Sequence, residues 1–91
     1  MESFSFSVAL ELLKDGQLVA RSGWNGPDQC LYLVQGSVFT VNRPPLNAIL
    51  AEGTKVNYLP HIDIRTAQGD FVPWLASQGD LLADDWHTVE L

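Results

Sequence analysis

Hydrophobic side chains near the amino terminus recur at the three-and-four spacing that places them on one face of a helix: Phe6, Ala9, Leu10 and Leu13. This period predicts a helix over residues 4–16. Ser5 or Ser7 can cap its first turn, because a serine oxygen accepts from the unpaired N–H groups there. Gly16 suits the left-handed residue that commonly follows a helix.

Most of the remaining chain consists of short β-rich runs that are separated by turn residues. The predicted strands are Leu18–Arg21, Leu31–Val34, Val38–Val41, Val56–Leu59, His61–Thr66, Phe71–Trp74 and Trp86–Leu91. The second and third runs are separated only by Gln35–Ser37, which contains a glycine. This spacing predicts that they form a hairpin.

Two further short helices are predicted between the strands. Pro45 suits the first turn of a helix over Leu46–Glu52, since its missing N–H would be unpaired there in any case. Ser77 and Asp80 stand three residues apart at the start of the segment Ser77–Ala83. That spacing is typical of a capping box, in which each residue satisfies the backbone N–H of the other.

The order of these elements predicts an α+β fold, with an N-terminal helix packed on a small antiparallel β-sheet and one or two further short helices. A chain of 91 residues supports a single domain, residues 1–91. Such a domain buries only about 60–65% of the surface of its unfolded chain. Yet 46% of the residues are hydrophobic, including three Trp, four Phe and two Tyr. We therefore expect apolar surface at a subunit contact or in a pocket, unless all the aromatic residues share one core.

The charge and the cysteine content narrow the classes of partner. A formal net charge of −6 disfavours DNA and RNA, whose phosphates require basic surfaces. A small phosphorylated ligand remains compatible, because a pocket needs only a few local donors. The single cysteine, Cys30, fits a reducing cytoplasm and precedes an apolar run, so we expect a buried thiol. No signal peptide and no membrane span is apparent in the sequence.

Enzymatic chemistry finds little support in the sequence. It lacks a Gly-x-Ser-x-Gly motif, a Walker-type phosphate loop and a convincing Cys/His pair. The more serious alternative is a metal or acid–base site built from His61, Asp63, Asp84, Asp85 and His87. Their spacing matches no dedicated ligand motif, and alternating polar residues are ordinary on a half-exposed strand. We expect no metal, no cofactor and no catalytic residue.

Two tryptophans lie in segments rich in hydrogen-bonding groups. Trp24 stands in a turn beside Asn25, and Trp74 follows Pro73 shortly before Ser77. An indole next to amide, hydroxyl and carboxylate groups is suited to stacking a purine base and reading its edge. Core residues that anchor loops are the alternative interpretation of both tryptophans, since Trp is usually well buried. For a diphosphate, Arg21 and Arg65 offer bidentate donors.

Several segments together resemble a known family of small phage proteins, the second of the named Thoeris anti-defence families. The segments are Phe6-x-x-Ala9-Leu10-x-x-Leu13-Lys14-x-Gly16, Ala20-Arg21-x-Gly23-Trp24-Asn25-Gly26, Leu31–Val34, Pro60–Asp63, and Val72-Pro73-Trp74-Leu75-Ala76-Ser77-Gln78-x-Asp80-Leu81-Leu82-Ala83-x-Asp85-Trp86. The resemblance covers nearly the whole chain except about residues 39–55. Its most specific part is the Pro-Trp-x-Ala-Ser-Gln-x-Asp motif with the Asp-Trp that follows.

The resemblance implies a sponge, a protein that sequesters a signalling molecule by binding it without cleaving it. The implied ligand is a cyclic ADP-ribose isomer made by Thoeris defence, bound in the cytoplasm of the infected host between the subunits of a homotetramer. Cyclic di- or trinucleotides, bound at a separate site, are a further implied ligand class.

The resemblance also implies where the ligand binds. Trp24 and Trp74 would stack the base, Asn25, Gln78 and Asp80 would contact base or ribose, and Arg21 or Arg65 would hold phosphate. Backbone N–H groups near Gly23 or Gly26 are the alternative phosphate donors. A nucleotide-degrading hydrolase and a non-catalytic structural phage protein remain the competing functions.

Overall fold

The computed structural model describes residues 2–91. The chain forms two α-helices, one 3₁₀ turn and seven strands. In chain order these are α1 (Phe6–Lys14), β1 (Leu18–Arg21), β2 (Cys30–Val34), β3 (Ser37–Thr40), the 3₁₀ turn (Leu46–Ala48), β4 (Lys55–Tyr58), β5 (His61–Arg65), β6 (Phe71–Pro73), α2 (Gln78–Leu82) and β7 (Trp86–Val89).

Five strands form an antiparallel sheet in the order β6-β5-β2-β1-β7, and α1 packs on one of its faces. The predicted α+β fold is therefore confirmed. Side chains alternate between the two faces of a strand, so Leu31 and its cross-strand partner Ile64 face α1. The fully buried centre is made by Ala9, Leu13, Val19, Leu31 and Trp86. None of the helices among the described residues is long and apolar enough to span a membrane.

Helix α1 confirms the buried face predicted from the sequence, but the predicted serine cap of its first turn is wrong. Ala9 and Leu13 are fully buried, and the helix begins at Phe6. Ser5 occupies the N-cap position without a side-chain cap, since its Oγ lies 2.8 Å from Ser7 Oγ. After the helix, Gly16 has a φ of 87°, as the sequence predicted.

The predicted hairpin between the second and third strands is wrong. Both edges of β2 are occupied, by β1 on one side and β5 on the other, so no edge is left for β3. β3 pairs instead with β4 in a separate two-stranded sheet. At Gly36 the chain turns aside, and an added Cβ there would lie 2.7 Å from the carbonyl oxygen of Tyr58. Glycine thus permits a close approach between the two segments that connect the sheets.

The predicted helix over Leu46–Glu52 is also wrong beyond its first turn. Only Leu46–Ala48 is helical, as a 3₁₀ turn, and none of its residues is buried. A short helix without a buried face lacks the tertiary packing that stabilises most protein helices. The capping box of α2, in contrast, is confirmed: Asp80 N donates to Ser77 Oγ over 3.0 Å, and Ser77 N donates to Asp80 Oδ2 over 3.1 Å.

Residues 36–60, which contain β3, the 3₁₀ turn and β4, form an arm that projects from the body of the protein (residues 2–35 and 61–91). The molecule measures 49 × 26 × 25 Å, with a radius of gyration of 16.0 Å. A compact chain of this length would have a radius of gyration of about 12 Å. Val34 at the end of β2 pairs directly with His61 at the start of β5, so the arm leaves and rejoins the sheet at neighbouring positions.

Candidate functional site

The turn after β1 positions Trp24 at one end of the sheet. Gly26 has a φ of 98° and Asp28 a φ of 63°, so the chain passes twice through the left-handed region. The turn is fastened to the segment before β7: Asp85 accepts from the Gly23 N–H through its side chain (2.8 Å) and from the Ser22 N–H through its carbonyl (3.1 Å). The backbone around Trp24 is therefore held by a residue more than sixty positions away in the sequence.

Arg21, the last residue of β1, connects two carboxylates. Its Nε donates to Asp85 Oδ1 over 2.8 Å, and its Nη1 donates to Asp80 Oδ1 over 2.9 Å. These hydrogen bonds, the one to Asp85 first and then the one to Asp80, raise the pKa of the guanidinium above its ordinary value. The hydrogen bond from Arg21 lowers the pKa of Asp85. One cation faces two anions, so the local charge is negative.

Asp80 is the centre of this network, because it forms hydrogen bonds with four residues: Arg21, Trp24, Ser77 and Trp86. Besides capping α2, its Oδ1 accepts from Arg21 and from Trp24 Nε1 (3.2 Å), and its carbonyl accepts from Trp86 Nε1 (2.9 Å). Burial alone would raise the pKa of Asp80, but the hydrogen bonds from Arg21, Ser77 and Trp24 outweigh it, and the pKa lies below its ordinary value. One carboxylate thus joins the Trp24 turn to α2.

Three aromatic side chains cluster around the buried indole of Trp86. Trp24 meets it edge-on at a centroid distance of 5.3 Å, and Trp74 does so at 6.1 Å. Phe6 of α1 contacts both Trp86, at 5.2 Å, and Trp74, at 5.9 Å. Trp24 and Trp74 are only half-buried, whereas Trp86 is inaccessible to solvent. Both indoles combine a core contact with surface that remains open to a ligand.

An open concavity of about 250 Å³ lies beside Trp24. The turn residues Trp24, Gly26 and Asp28 line it together with His87 and Val89 of β7. Pockets that enclose small ligands usually measure about 300–1,000 Å³. The concavity beside Trp24 is smaller than this range. A larger open concavity, of about 990 Å³, lies on the arm and shares no lining residue with it.

The structure brings most of the sequence-predicted site residues to this end of the molecule. Arg21, Trp24 and Asp80 are in direct contact, and Trp74 joins them through Trp86. The two amide residues lie on exposed positions, Asn25 in the turn and Gln78 at the start of α2.

Arg65 is the exception among the predicted residues. It lies on β5 opposite Cys30 and therefore faces away from α1, where its Nη1 contacts Asp28 O over 3.4 Å. The alternative phosphate donor at Gly23 is occupied, since its N–H binds Asp85. Cys30 is buried as expected, and burial raises the pKa of its thiol.

Three residues of the cluster were not assigned to the site from the sequence: Phe6, Asp85 and Trp86. Trp86 lies directly opposite Arg21 in the β1–β7 ladder, a register that no local pattern encodes. The sequence suggests Asp85 only as part of a metal or acid–base site. The Asp-Trp pair that follows α2 was the available signal, since both of its side chains turn towards the cluster.

The residues of the alternative metal or acid–base site lie apart. His61 and Asp63 are neighbours on β5, with His61 Nε2 3.9 Å from Asp63 Oδ1. His87 lies on β7, which is separated from β5 by β2 and β1, or about 14 Å of inter-strand spacing. Among residues 2–91, no group of three or more His, Cys, Asp and Glu side chains is placed to hold a metal ion.

Comparison with known proteins identifies relatives along nearly the whole chain. The model of the Thoeris anti-defense 2-like domain matches residues 4–89. The protein named Thoeris anti-defense 2 from Bacillus phage SP01 is 35% identical over 95 residues, an alignment that covers 93% of each chain. A match of this extent at this identity shows that the protein belongs to the Thoeris anti-defense 2-like family, which has a phage anti-defence role.

Proposed function

We propose that this protein is a phage sponge that binds a cyclic ADP-ribose-type immune signal without cleaving it and so prevents activation of the Thoeris effector. It would act as a homo-oligomer, a tetramer by resemblance, in the cytoplasm of the infected host. The observation that carries the proposal is the pair of half-buried indoles, Trp24 and Trp74, that pack edge-on against Trp86, with an open concavity beside Trp24.

Preorganisation supports binding at this end of the molecule. Asp80 fixes the Trp24 indole through its Nε1–H, and the edge-on contact with Trp86 holds the ring from a second side. When a ligand stacks on a ring that is already held in place, binding costs less conformational entropy, because the ring itself need not be ordered. Stacking one base contributes about 1–3 kcal/mol. Two such rings are suited to an adenine-containing signal.

The small size of the concavity supports binding between subunits. Nanomolar affinity corresponds to about −12 kcal/mol, which a shallow and wet site does not readily provide. The concavity of about 250 Å³ beside Trp24 is open to solvent. A second protomer that covers it would exclude water and add polar contacts. Asn25 and Gln78 are exposed, which supports a role for their amides in such a composite site.

The charge distribution limits which groups of the protein could bind the phosphates of the ligand. Arg21 already faces Asp80 and Asp85, so its charge is balanced, and its first role is to position the Trp24 turn. Phosphate contacts in the proposal therefore fall on its remaining N–H donors, on Arg65, on backbone N–H groups of the turn near Gly26, or on a second subunit. The separation of His61 from His87 supports sequestration over acid–base cleavage.

A stoichiometric recovery experiment tests the proposal. Protein is incubated with cyclic ADP-ribose isomers, the free ligand is removed, and the bound ligand is released by heating and identified by mass spectrometry. We expect saturation at a fixed ratio and chemically intact ligand. Progressive conversion to product would instead establish an enzyme, and His61→Gln combined with His87→Gln would then abolish it. If high ligand excess fails to raise the melting temperature, the structural phage protein becomes the better interpretation, since a tight ligand must stabilise the fold.

A further inference from the structure

His87 lines the concavity of about 250 Å³ beside Trp24. It belongs to β7, where it pairs with Ala20 of β1. Side chains alternate along a strand, so His87 points to the opposite face of the sheet from its buried neighbour Trp86 and from α1. Its side chain is half-buried. The imidazole therefore borders the same open space as the indole of Trp24.

Most side-chain donors around this concavity already have acceptors in the protein. Arg21 uses Nε and Nη1 for two carboxylates, Asp85 and Asp80. The Nε1–H of Trp24 also binds Asp80. The side-chain amide of Gln29 donates to backbone carbonyls of the turn. An anion that enters the concavity therefore meets few side-chain donors, and the imidazole on β7 is one group that can supply one.

The hydrogen bond that His87 already makes determines which form of its ring can bind an anion. Its Nδ1 lies 3.1 Å from the carbonyl oxygen of Thr88. A carbonyl oxygen only accepts, so Nδ1 carries the proton in this contact. The neutral ring then has only a lone pair at Nε2, which repels a phosphate oxygen, whereas the imidazolium has N–H groups at both positions. In this geometry, Nε2 donates to an anion only after the ring takes up a second proton.

We propose that His87 binds a phosphate of the signalling nucleotide through Nε2–H in its protonated form, so that ligand binding takes up a proton. The inference rests on the proposed function, because it concerns the same site. It supplies a positive charge where that of Arg21 is already balanced by two carboxylates. Hydrogen bonds between charged groups are about twice as strong as neutral ones. Since histidines change charge between about pH 5 and pH 8, affinity should fall as the pH rises through this range.

The other charged groups around His87 come from each segment packed against it. They are Arg21 at the end of β1, Asp28 of the Trp24 turn, Asp85 and Glu90 on either side of β7, and Glu2 in the segment that pairs with β7 through the Phe4–Trp86 bridge. Carboxylate and guanidinium groups keep their charge between about pH 6 and pH 8. On the same face of the sheet, burial raises the pKa of the Cys30 thiol. His61 is the other histidine of the chain and therefore the necessary control.

Isothermal titration calorimetry of the full chain with cyclic ADP-ribose isomers, in buffers of different ionisation enthalpy at about pH 7, tests the inference. The change in observed enthalpy between buffers gives the number of protons taken up per ligand. We expect about 0.3–1 proton for wild type and close to none for His87→Gln, which keeps an N–H donor but cannot become charged. His61→Gln makes the same change on β5 and should behave as wild type.

Affinity and the ring signals should follow the same pattern. Between about pH 6 and pH 8, wild type and His61→Gln should each lose at least about fivefold in affinity, whereas His87→Gln should change by less than about twofold. Nuclear magnetic resonance of the imidazole nitrogens gives a direct signature, since the chain has two histidines. At about pH 7, ligand should move the ring signals of His87 to imidazolium positions and leave those of His61 in place.

Three outcomes would overturn the inference. Binding without proton uptake, or with equal uptake by wild type and His87→Gln, shows that other donors hold the phosphates, while the proposed sequestration stands. Loss of the pH dependence in His61→Gln alone assigns the proton to His61. Failure of every isomer to bind removes both this inference and the proposed function. Circular dichroism confirms that each variant is folded.

Discussion

Arg21 and Asp80 are 59 residues apart in the sequence, yet their side chains meet over 2.9 Å, between Nη1 and Oδ1. This contact joins the end of β1 to the first turn of α2. Because Asp80 also binds the Trp24 indole, the ion pair determines where the first candidate stacking residue lies. A defect in the pair should therefore affect both stability and ligand binding.

Asp80→Ala removes the α2 cap, one partner of Arg21 and the acceptor for Trp24. The side chain of Asp80 is only 12% exposed, so these losses occur largely out of water. We expect the free energy of unfolding to fall by about 2–4 kcal/mol, measured by urea denaturation. Asp80→Asn keeps an oxygen acceptor and should cost less. The exposed Asp84→Ala is the control, with a change of less than about 0.5 kcal/mol. Equal effects of Asp80→Ala and Asp84→Ala would contradict the central role of Asp80.

Stability should fall in acid through the same network. The pKa values of Asp80 and Asp85 are lowered in the folded protein, so the unfolded chain takes up protons first as the pH falls. Their contribution to stability is complete above the unfolded pKa of about 4 and is lost as the pH drops through the lower folded values. Urea midpoints between about pH 5 and pH 2 should decline steeply for wild type. They should decline less for a variant that combines Asp80→Asn with Asp85→Asn, and parallel curves would refute this assignment.

Gly26 tests the geometry of the Trp24 turn. Gly26→Ala combines a left-handed φ of 98° with a new Cβ that would lie 2.7 Å from Ala67 Cβ. We expect a loss of about 1–3 kcal/mol in the free energy of unfolding. Gly69→Ala is a matched control, because its φ of 88° is similar but an added Cβ meets no atom within 4 Å. Gly26→Ala should be the more damaging of the two, and the reverse order would argue against the tight packing of this turn on Ala67.

Trp24→Ala and Trp74→Ala should weaken binding of a cyclic ADP-ribose isomer by roughly 5- to 150-fold each, since each removes a stacking partner. Isothermal titration calorimetry measures the loss. Trp24→Phe should be intermediate, because the ring is retained while the Nε1–H donor to Asp80 is lost. Phe71→Ala, which truncates an exposed aromatic on β6, is the control and should bind normally. Wild-type affinity in both alanine variants would place the ligand elsewhere.

Local patterns predicted the buried face of α1 and the capping box of α2 correctly, although they did not predict the shortness of the helix that begins at Leu46. The periodicity of α1 and the Ser77–Asp80 spacing depend on residues within one or two turns of each other, and both are confirmed. The partner of β2 depends on a competition between distant strands. β5 provides a ladder of five residue pairs from Cys30–Arg65 to Val34–His61, so β3, although adjacent in the sequence, is excluded.

The candidate site was only partly visible in the sequence for the same reason. The turn chemistry around Trp24 and the cap of α2 could be recognised locally. Arg21 donates hydrogen bonds to Asp80 and Asp85. These contacts depend on the β1–β7 register, which places Arg21 opposite Trp86. Such register is set by tertiary packing and not by the neighbours of a residue in the chain.

The direct pairing of Val34 with His61 has a consequence for how this fold can change. The β2–β5 ladder is complete up to the base of the arm. The whole segment between these two residues therefore corresponds to an insertion in a hairpin loop. Substitutions, shortening or replacement of the segment leave the sheet hydrogen bonds intact, and long surface insertions cost little chain entropy. Variation there can alter which surfaces of two molecules fit together while the aromatic end of the molecule keeps its geometry.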